Sequence, residues 1–187
     1  MLPVGTSGVQ IALELSRSRK TIISGDPTPH IPDAVFRYAG SLYWWFASNI
    51  LTLATPIGRK VKGKIISSGA PLISVSFDDV KAAGIEHVPR LSGVKDGQPL
   101  LDDGRTVLVS SVVWATGYKP DFSWIRTNLT DETGWPVTYR GVSKKVAGLY
   151  FMGMPFQFGL TSGLVGGIGR DAAFVANYLL NHKQPSP

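Results

Sequence analysis

A glycine turn that opens a helix and is followed by a strand constrains the path of this chain more than any other feature of its sequence. Gly5-Thr6-Ser7-Gly8 leads into residues 7–17, where Val9, Ala12, Leu13 and Leu15 recur at helical spacing. Lys20-Thr21-Ile22-Ile23-Ser24 then reads as a strand, and Gly25-Asp26-Pro27-Thr28-Pro29 as a loop, because two prolines fix φ and withhold backbone donors. Small residues at such a turn let backbone N–H groups approach a pyrophosphate, and the helix start adds a partial positive charge. The first glycine of the three-glycine dinucleotide pattern falls at Pro3, and no strand precedes it. Taken alone, the motif leaves nucleotide binding and a plain glycine-started helix both open. Asp26 points to NAD and the bases Arg17, Arg19 and Lys20 to NADP, although those bases also suit a helix C-terminus.

Past the loop, the alternation of helix and strand gives way to an inserted helical stretch at about 28–70. Aromatic and apolar residues fill 35–53 before Pro56 and Gly58 break the pattern. Residues 86–106 read as a β meander, with Val88, Leu91 and Val94 in one arm, a turn at Lys95-Asp96-Gly97, and a second turn at Asp102-Asp103-Gly104. Two unbroken apolar runs, 111–115 and 148–153, read as buried strands. The first leaves through Thr116-Gly117. The spacing of Leu164, Ile168, Ala172, Val175 and Leu179 predicts a closing helix over 161–180, with Thr161 and Ser162 as candidate caps.

Composition narrows the chemistry. The chain has 187 residues, a formal charge of +6 and no cysteine. Disulfide scaffolds, thiolate metal sites and redox dithiols are thereby excluded. His30, His87 and His182 are too widely spaced to suggest a metal site, so none is expected. The basic residues are scattered, without the aromatic-interleaved stripe that grips single strands, which argues against nucleic acid and for an anionic cofactor. No apolar window reaches the ~20 residues of a membrane span. The start, Met1-Leu2-Pro3-Val4-Gly5, lacks a basic and apolar leader, so a cytoplasmic location is expected. Tyr43, Trp44, Trp45 and Phe46 read first as core packing of the insert. A substrate passage, or surface contact with a membrane beside the bases at 59–64, is the lesser option.

The run Val112-Val113-Trp114-Ala115-Thr116-Gly117-Tyr118-Lys119-Pro120-Asp121-Phe122 resembles the A-T-G-Y segment of flavin-containing monooxygenases and their bacterial relatives. In that family this strand and turn link the nicotinamide-nucleotide domain to the FAD domain. Gly148-Leu149-Tyr150-Phe151-Met152-Gly153-Met154-Pro155-Phe156, followed by Gly163-Leu164-Val165-Gly166-Gly167-Ile168-Gly169-Arg170-Asp171, is similar to the family's strand and helix facing the flavin. The order of these features, with Thr55-Pro56-Ile57-Gly58-Arg59 in the insert, extends the resemblance over nearly the whole chain.

The resemblance implies an α/β chain with two parts. Residues 1–115 are an incomplete Rossmann-like NAD(P)-binding domain carrying the insert and the meander, and 116–187 are the C-terminal portion of a Rossmann-like FAD-binding domain. It implies NADP or NAD held at Gly5, Thr6, Ser7 and Gly8, and FAD beside Ala115, Thr116, Gly117, Tyr118, Gly153, Gln157, Thr161 and Ser162. The reaction implied is hydride transfer from NAD(P)H to flavin and then oxygenation of a small organic substrate, with no catalytic side chain demanded. The family's amino-terminal FAD fingerprint has no counterpart in this sequence, so a truncated chain is expected. The alternatives are an NAD(P)-binding remnant without catalysis, or a subunit that needs a partner chain to hold FAD; a homo-oligomer or a partner chain is the candidate to complete the FAD site.

Overall fold

The computed structural model describes residues 4–182, apart from the side chains of residues 67 and 68. Pro3, where the glycine pattern departs, lies outside the described residues. The chain forms two units, 1–39 with 64–117 and 40–63 with 118–187. Residues 40–63, read from sequence as part of an insert in the first domain, therefore group with the C-terminal unit.

In the first unit, α1 (Thr6–Ser16) leads into β1 (Ile22–Ser24), as the glycine turn and apolar spacing predict. A helix labelled α2 (Asp33–Asn49) breaks at Ala39, whose φ of −135° is not helical, directly before Gly40. The helix α3 (Pro56–Ser68) runs back into this unit, followed by α4 (Phe77–Ala82) and β2 (Glu86–Val88). Sequence reasoning missed α4, whose start is nonetheless encoded locally. The Ser76 hydroxyl accepts from Asp79 N–H while the Asp79 carboxylate accepts from Ser76 N–H, a reciprocal cap. Strand β2 pairs in parallel with β1, Ile23 opposite His87. Val9, Ala12, Ile23, Leu72, Val80 and Ile85 form the buried cluster between these elements, with Val4 and Phe77 packed against it.

The pair β3 (Leu91–Lys95) and β4 (Gln98–Leu101) is an antiparallel hairpin closed by Asp96 and Gly97, both at positive φ. That is the turn geometry an Asp-Gly pair favours. The meander is corrected at one arm: Val88 sits in β2 beside β1, because Pro89 separates it from the hairpin.

In the second unit, β5 (Thr138–Tyr139) and β6 (Val142–Ser143) form a hairpin through Arg140 and Gly141, and α5 (Gly169–Asn181) closes the described chain. Phe151, Phe156, Leu129, Ala47 and Val175 are buried, together with the polar Thr52, Gln157, Thr161, Ser162 and Asp171.

Three further expectations are corrected. Residues 111–115 are not a buried strand: they adopt no regular structure, and Val113 and Trp114 are exposed at 60% and 67%. An apolar run reports a capacity for burial, and no described strand lies alongside to use it. Residues 148–153 pair only through a bridge from Tyr150 to Val142. The closing helix starts at Gly169 and not at 161, after a short 3-10 turn at Leu160–Gly163. There the Gly167 backbone lies so close on the Thr161 carbonyl that an added Cβ would fall 2.1 Å from it, which interrupts the helix that the spacing suggests. Among the described residues the expected Rossmann-like sheet is not seen: three two-stranded sheets are present, of which β1–β2 is the parallel one, so the observed class is mixed α/β with small sheets and no closed barrel.

Leu72→Ala is expected to destabilise the chain by roughly 2–5 kcal/mol, since a fully buried leucine leaves a cavity, whereas the neighbouring Ile73→Ala stays within about 0.5 kcal/mol. Urea unfolding monitored by circular dichroism checks the pair.

Candidate functional site

The start of α1 is built by three pieces of chain. Val4 N–H donates to the Asp26 carbonyl at 3.0 Å, and the Thr28 hydroxyl donates to the Val4 carbonyl. Gly5 is the N-cap, in extended conformation and with no side chain capping the first turn. The backbone donors of that turn therefore point out of the helix without a side-chain acceptor. Gly8 is where the turn needs its glycine: a Cβ would lie 3.1 Å from Val4 Cγ1 and 3.4 Å from Ala115 Cβ. Two segments that the sequence assigns to cofactor binding, 5–8 and 115, thus meet within the first unit.

The end of β1 lies beside this turn. Asp26 pairs with Arg90 at 3.3 Å, across the parallel pair from the strand that carries the acid. His87 Nε2 lies 2.7 Å from the Gly25 carbonyl. The acid that the sequence links to NAD is consequently charge-compensated, which sequence spacing could not reveal. Thr116, Gly117 and Tyr118 follow Ala115 as exposed residues, with Gly117 at φ +76°.

The other predicted residues fall in the second unit. Gly153 is exposed at φ +78°, and Gly163 packs close to its carbonyl. Gln157, Thr161 and Ser162 are buried. The Gln157 amide donates to the Phe151 carbonyl at 2.9 Å, and the Ser162 hydroxyl accepts from Phe158 N–H and Gly159 N–H. These polar groups hold their own turn together.

That turn is clamped from two sides. The 50–55 connection pairs with it through Leu53 N–H to the Phe158 carbonyl at 2.8 Å and Leu160 N–H to the Leu51 carbonyl at 2.9 Å. Gly159 permits the approach, since a Cβ there would sit 3.0 Å from the Leu51 oxygen. On the other side, the Arg140 guanidinium stacks between Phe158 and Phe174, 4.4 and 4.3 Å from the ring centres. Its Nη2 lies 3.9 Å from Asp171, which is 1% exposed and accepts no hydrogen bond among the described residues. Sequence reasoning missed Arg140 and Asp171. Only the Arg140-Gly141 turn left a local trace, through a glycine held at φ +88°.

Tyr43 and Ala47 face inward from the insert, with burial raising the Tyr43 hydroxyl pKa, while Trp45 and Phe46 are exposed. The reading of the whole aromatic run as core is corrected accordingly. A shallow depression of about 670 Å³ at Asn128, Thr130, Asp131, Glu132, Thr133 and Lys145 includes none of the predicted residues. The Thr133 hydroxyl, bonded to Asp131, holds that carboxyl below the ordinary range. Among the described residues, no three metal-ligating side chains gather, and no helix is long and apolar enough to cross a membrane.

No protein-family model matches the chain. Curated proteins do. It is 34% identical over 181 residues to an uncharacterized oxidoreductase CzcO-like of Geobacillus kaustophilus (strain HTA426), covering 95% of this chain and 51% of that protein. It is 31% identical over 179 residues to the uncharacterized oxidoreductase CzcO of Bacillus subtilis (strain 168), covering 94% and 50%. The Bacillus velezensis protein of the same name is 30% identical over 179 residues. The chain is similar to proteins named as oxidoreductases. It spans about half the length of the curated relatives it matches.

Asp171→Ala is expected to lower stability by roughly 3 kcal/mol, because it leaves the Arg140 cation among aromatic rings without its counter-charge. Arg170→Ala, which removes an exposed stacking cation, is expected to cost under about 1 kcal/mol. Thermal unfolding of both variants checks the difference.

Proposed function

We propose that this chain is an NAD(P)-binding part of a flavin-dependent oxidoreductase of the monooxygenase type that acts on a small organic substrate. The observation that carries the reading is the convergence of the Gly5-Thr6-Ser7-Gly8 helix start with Ala115 of the A-T-G-Y segment, in a chain similar to oxidoreductases over nearly its whole length. When bound, FAD supplies the route by which a hydride from NAD(P)H becomes reducing power for oxygen chemistry.

The residues present suit the two cofactors unequally. At α1 the uncapped backbone donors of Thr6, Ser7 and Gly8, with the helix dipole behind them, suit a pyrophosphate. Arg90 offsets the charge of Asp26 beside that turn, which favours the 2′-phosphate of NADP over the free ribose of NAD. In the second unit, the Ser162 hydroxyl and the Gln157 amide nitrogen are committed to backbone partners, and Gln157 Oε1 is buried without a partner among the described residues, so neither side chain is presented at the surface as a direct flavin ligand. A flavin at that turn would meet the exposed backbone at Gly153 and at residues 164 and 165 instead. The buried side chains then position the turn. This inequality favours a second reading, in which the chain binds NAD(P) but holds FAD only together with further polypeptide.

Absorbance of the purified chain after incubation with FAD and removal of free flavin separates the readings. A retained flavin band that bleaches with NADPH supports the oxidoreductase acting alone, and NADPH binding without retained flavin supports the second reading. Binding of neither cofactor overturns both. Gly8→Val is expected to weaken NADPH binding at least about tenfold by forcing Val4 and Ala115 apart, as read by calorimetric titration.

A further inference from the structure

The sulfur of Met152 stands between solvent and a fixed hydrogen-bond donor. Met152 is 41% exposed, and the Gln157 amide nitrogen donates to its Sδ at 3.8 Å. That amide is held in place. Gln157 is buried, its nitrogen also donates to the Phe151 carbonyl at 2.9 Å, and a Cβ at Gly141 would fall 2.1 Å from the same nitrogen. Phe151 N–H in turn donates to the Gly141 carbonyl at 2.7 Å, so the donor is tied to the β5–β6 hairpin. A thioether sulfur carries two lone pairs and accepts hydrogen bonds weakly. The buried amide engages one of them and leaves the other for solvent. Met154, two residues further on, is partly buried.

We propose that Met152 is a peroxide-reactive modification site, oxidised on one face of its sulfur to a single sulfoxide epimer that leaves the turn intact. In the step, the free lone pair of Sδ takes one oxygen atom from hydrogen peroxide as the O–O bond breaks. The thioether is oxidised by two electrons and the peroxide is reduced. The proton on the transferred oxygen passes to the departing hydroxide, which leaves as water. A sulfoxide makes an apolar side chain polar and chiral, a change that disrupts a packed core. At Met152 the new oxygen enters solvent and the Gln157 bond to Phe151 persists. The residue thus takes up peroxide beside the turn at 153–168 without loss of packing, and a methionine sulfoxide reductase specific for that epimer restores it. The inference stands on exposure and on one hydrogen bond, and holds whether or not a cofactor is bound.

The test treats the full chain with dilute hydrogen peroxide and follows each methionine by tandem mass spectrometry. Met152 is expected to oxidise at least about fivefold faster than Met154, and one of the two epimer-specific reductases, but not the other, to reverse it. The thermal midpoint of the oxidised chain is expected to match that of the untreated chain. Gln157→Leu, which removes the donor, is expected to yield both epimers. The parent chain oxidised in urea serves the same comparison if that variant does not fold. Oxidation of Met154 as fast as Met152, or equal amounts of the two epimers at Met152 in the folded chain, overturns the proposal. An epimer preference that survives in Gln157→Leu or in urea overturns it too, as does a lowered thermal midpoint after oxidation.

Discussion

The second unit depends on placing one cation among its aromatic rings. Arg140 adopts φ +48°, a conformation costly for a side chain with a Cβ, and the two-residue turn it shares with Gly141 directs its guanidinium between Phe158 and Phe174. Asp171, in the first turn of α5, supplies the counter-charge where the helix dipole also favours a negative group. Three distant pieces of chain are thereby joined: the β5–β6 hairpin, the turn at 153–168 and the closing helix. A Cβ at Gly141 would fall 2.1 Å from the Gln157 amide nitrogen, so the hairpin and the turn are fitted to each other with no room for a larger residue.

The first unit is organised differently. Its interior is an apolar cluster around Leu72 and Val80, and the polar work is confined to one edge, where Val4, Gly25, Asp26 and Arg90 surround the start of α1. An apolar core with backbone donors left open at its rim suits a site that holds a ligand by main chain and needs no reactive side chain. The polar interior of the second unit divides between groups that bond to its own backbone, Ser162 and the Gln157 amide nitrogen, and the Arg140–Asp171 pair.

Local encoding decided what the sequence revealed. The α1–β1 step and the Asp96-Gly97 turn were legible because glycine placement and apolar spacing specify them within a few residues. The capping box at Ser76 and Asp79 was also local, and the signal was overlooked. The contact between Arg140 and Asp171, separated by thirty-one residues, leaves no periodic trace, nor does the pairing of residues 51–53 with 158–160. The apolar runs at 111–115 and 148–153 misled for a related reason: hydrophobicity reports what a segment can bury, whereas strand formation needs a partner elsewhere. Of the candidate site, Gly8 and Ala115, read from separate motifs, lie close together in the first unit, a proximity no spacing in the sequence shows, while the Gln157 amide and the Ser162 hydroxyl bond to the backbone of their own turn.

Nucleotide binding at the start of α1, backed by Ala115, is the proposal on which the rest turns. Amide chemical-shift mapping of the isotope-labelled chain during titration with NADP⁺ tests it most directly. Saturable shifts concentrated at Thr6, Ser7, Gly8 and Ala115, with smaller ones at Asp26 and Arg90, are expected. Shifts confined to the depression at residues 128–133, or no saturable shifts, would contradict it.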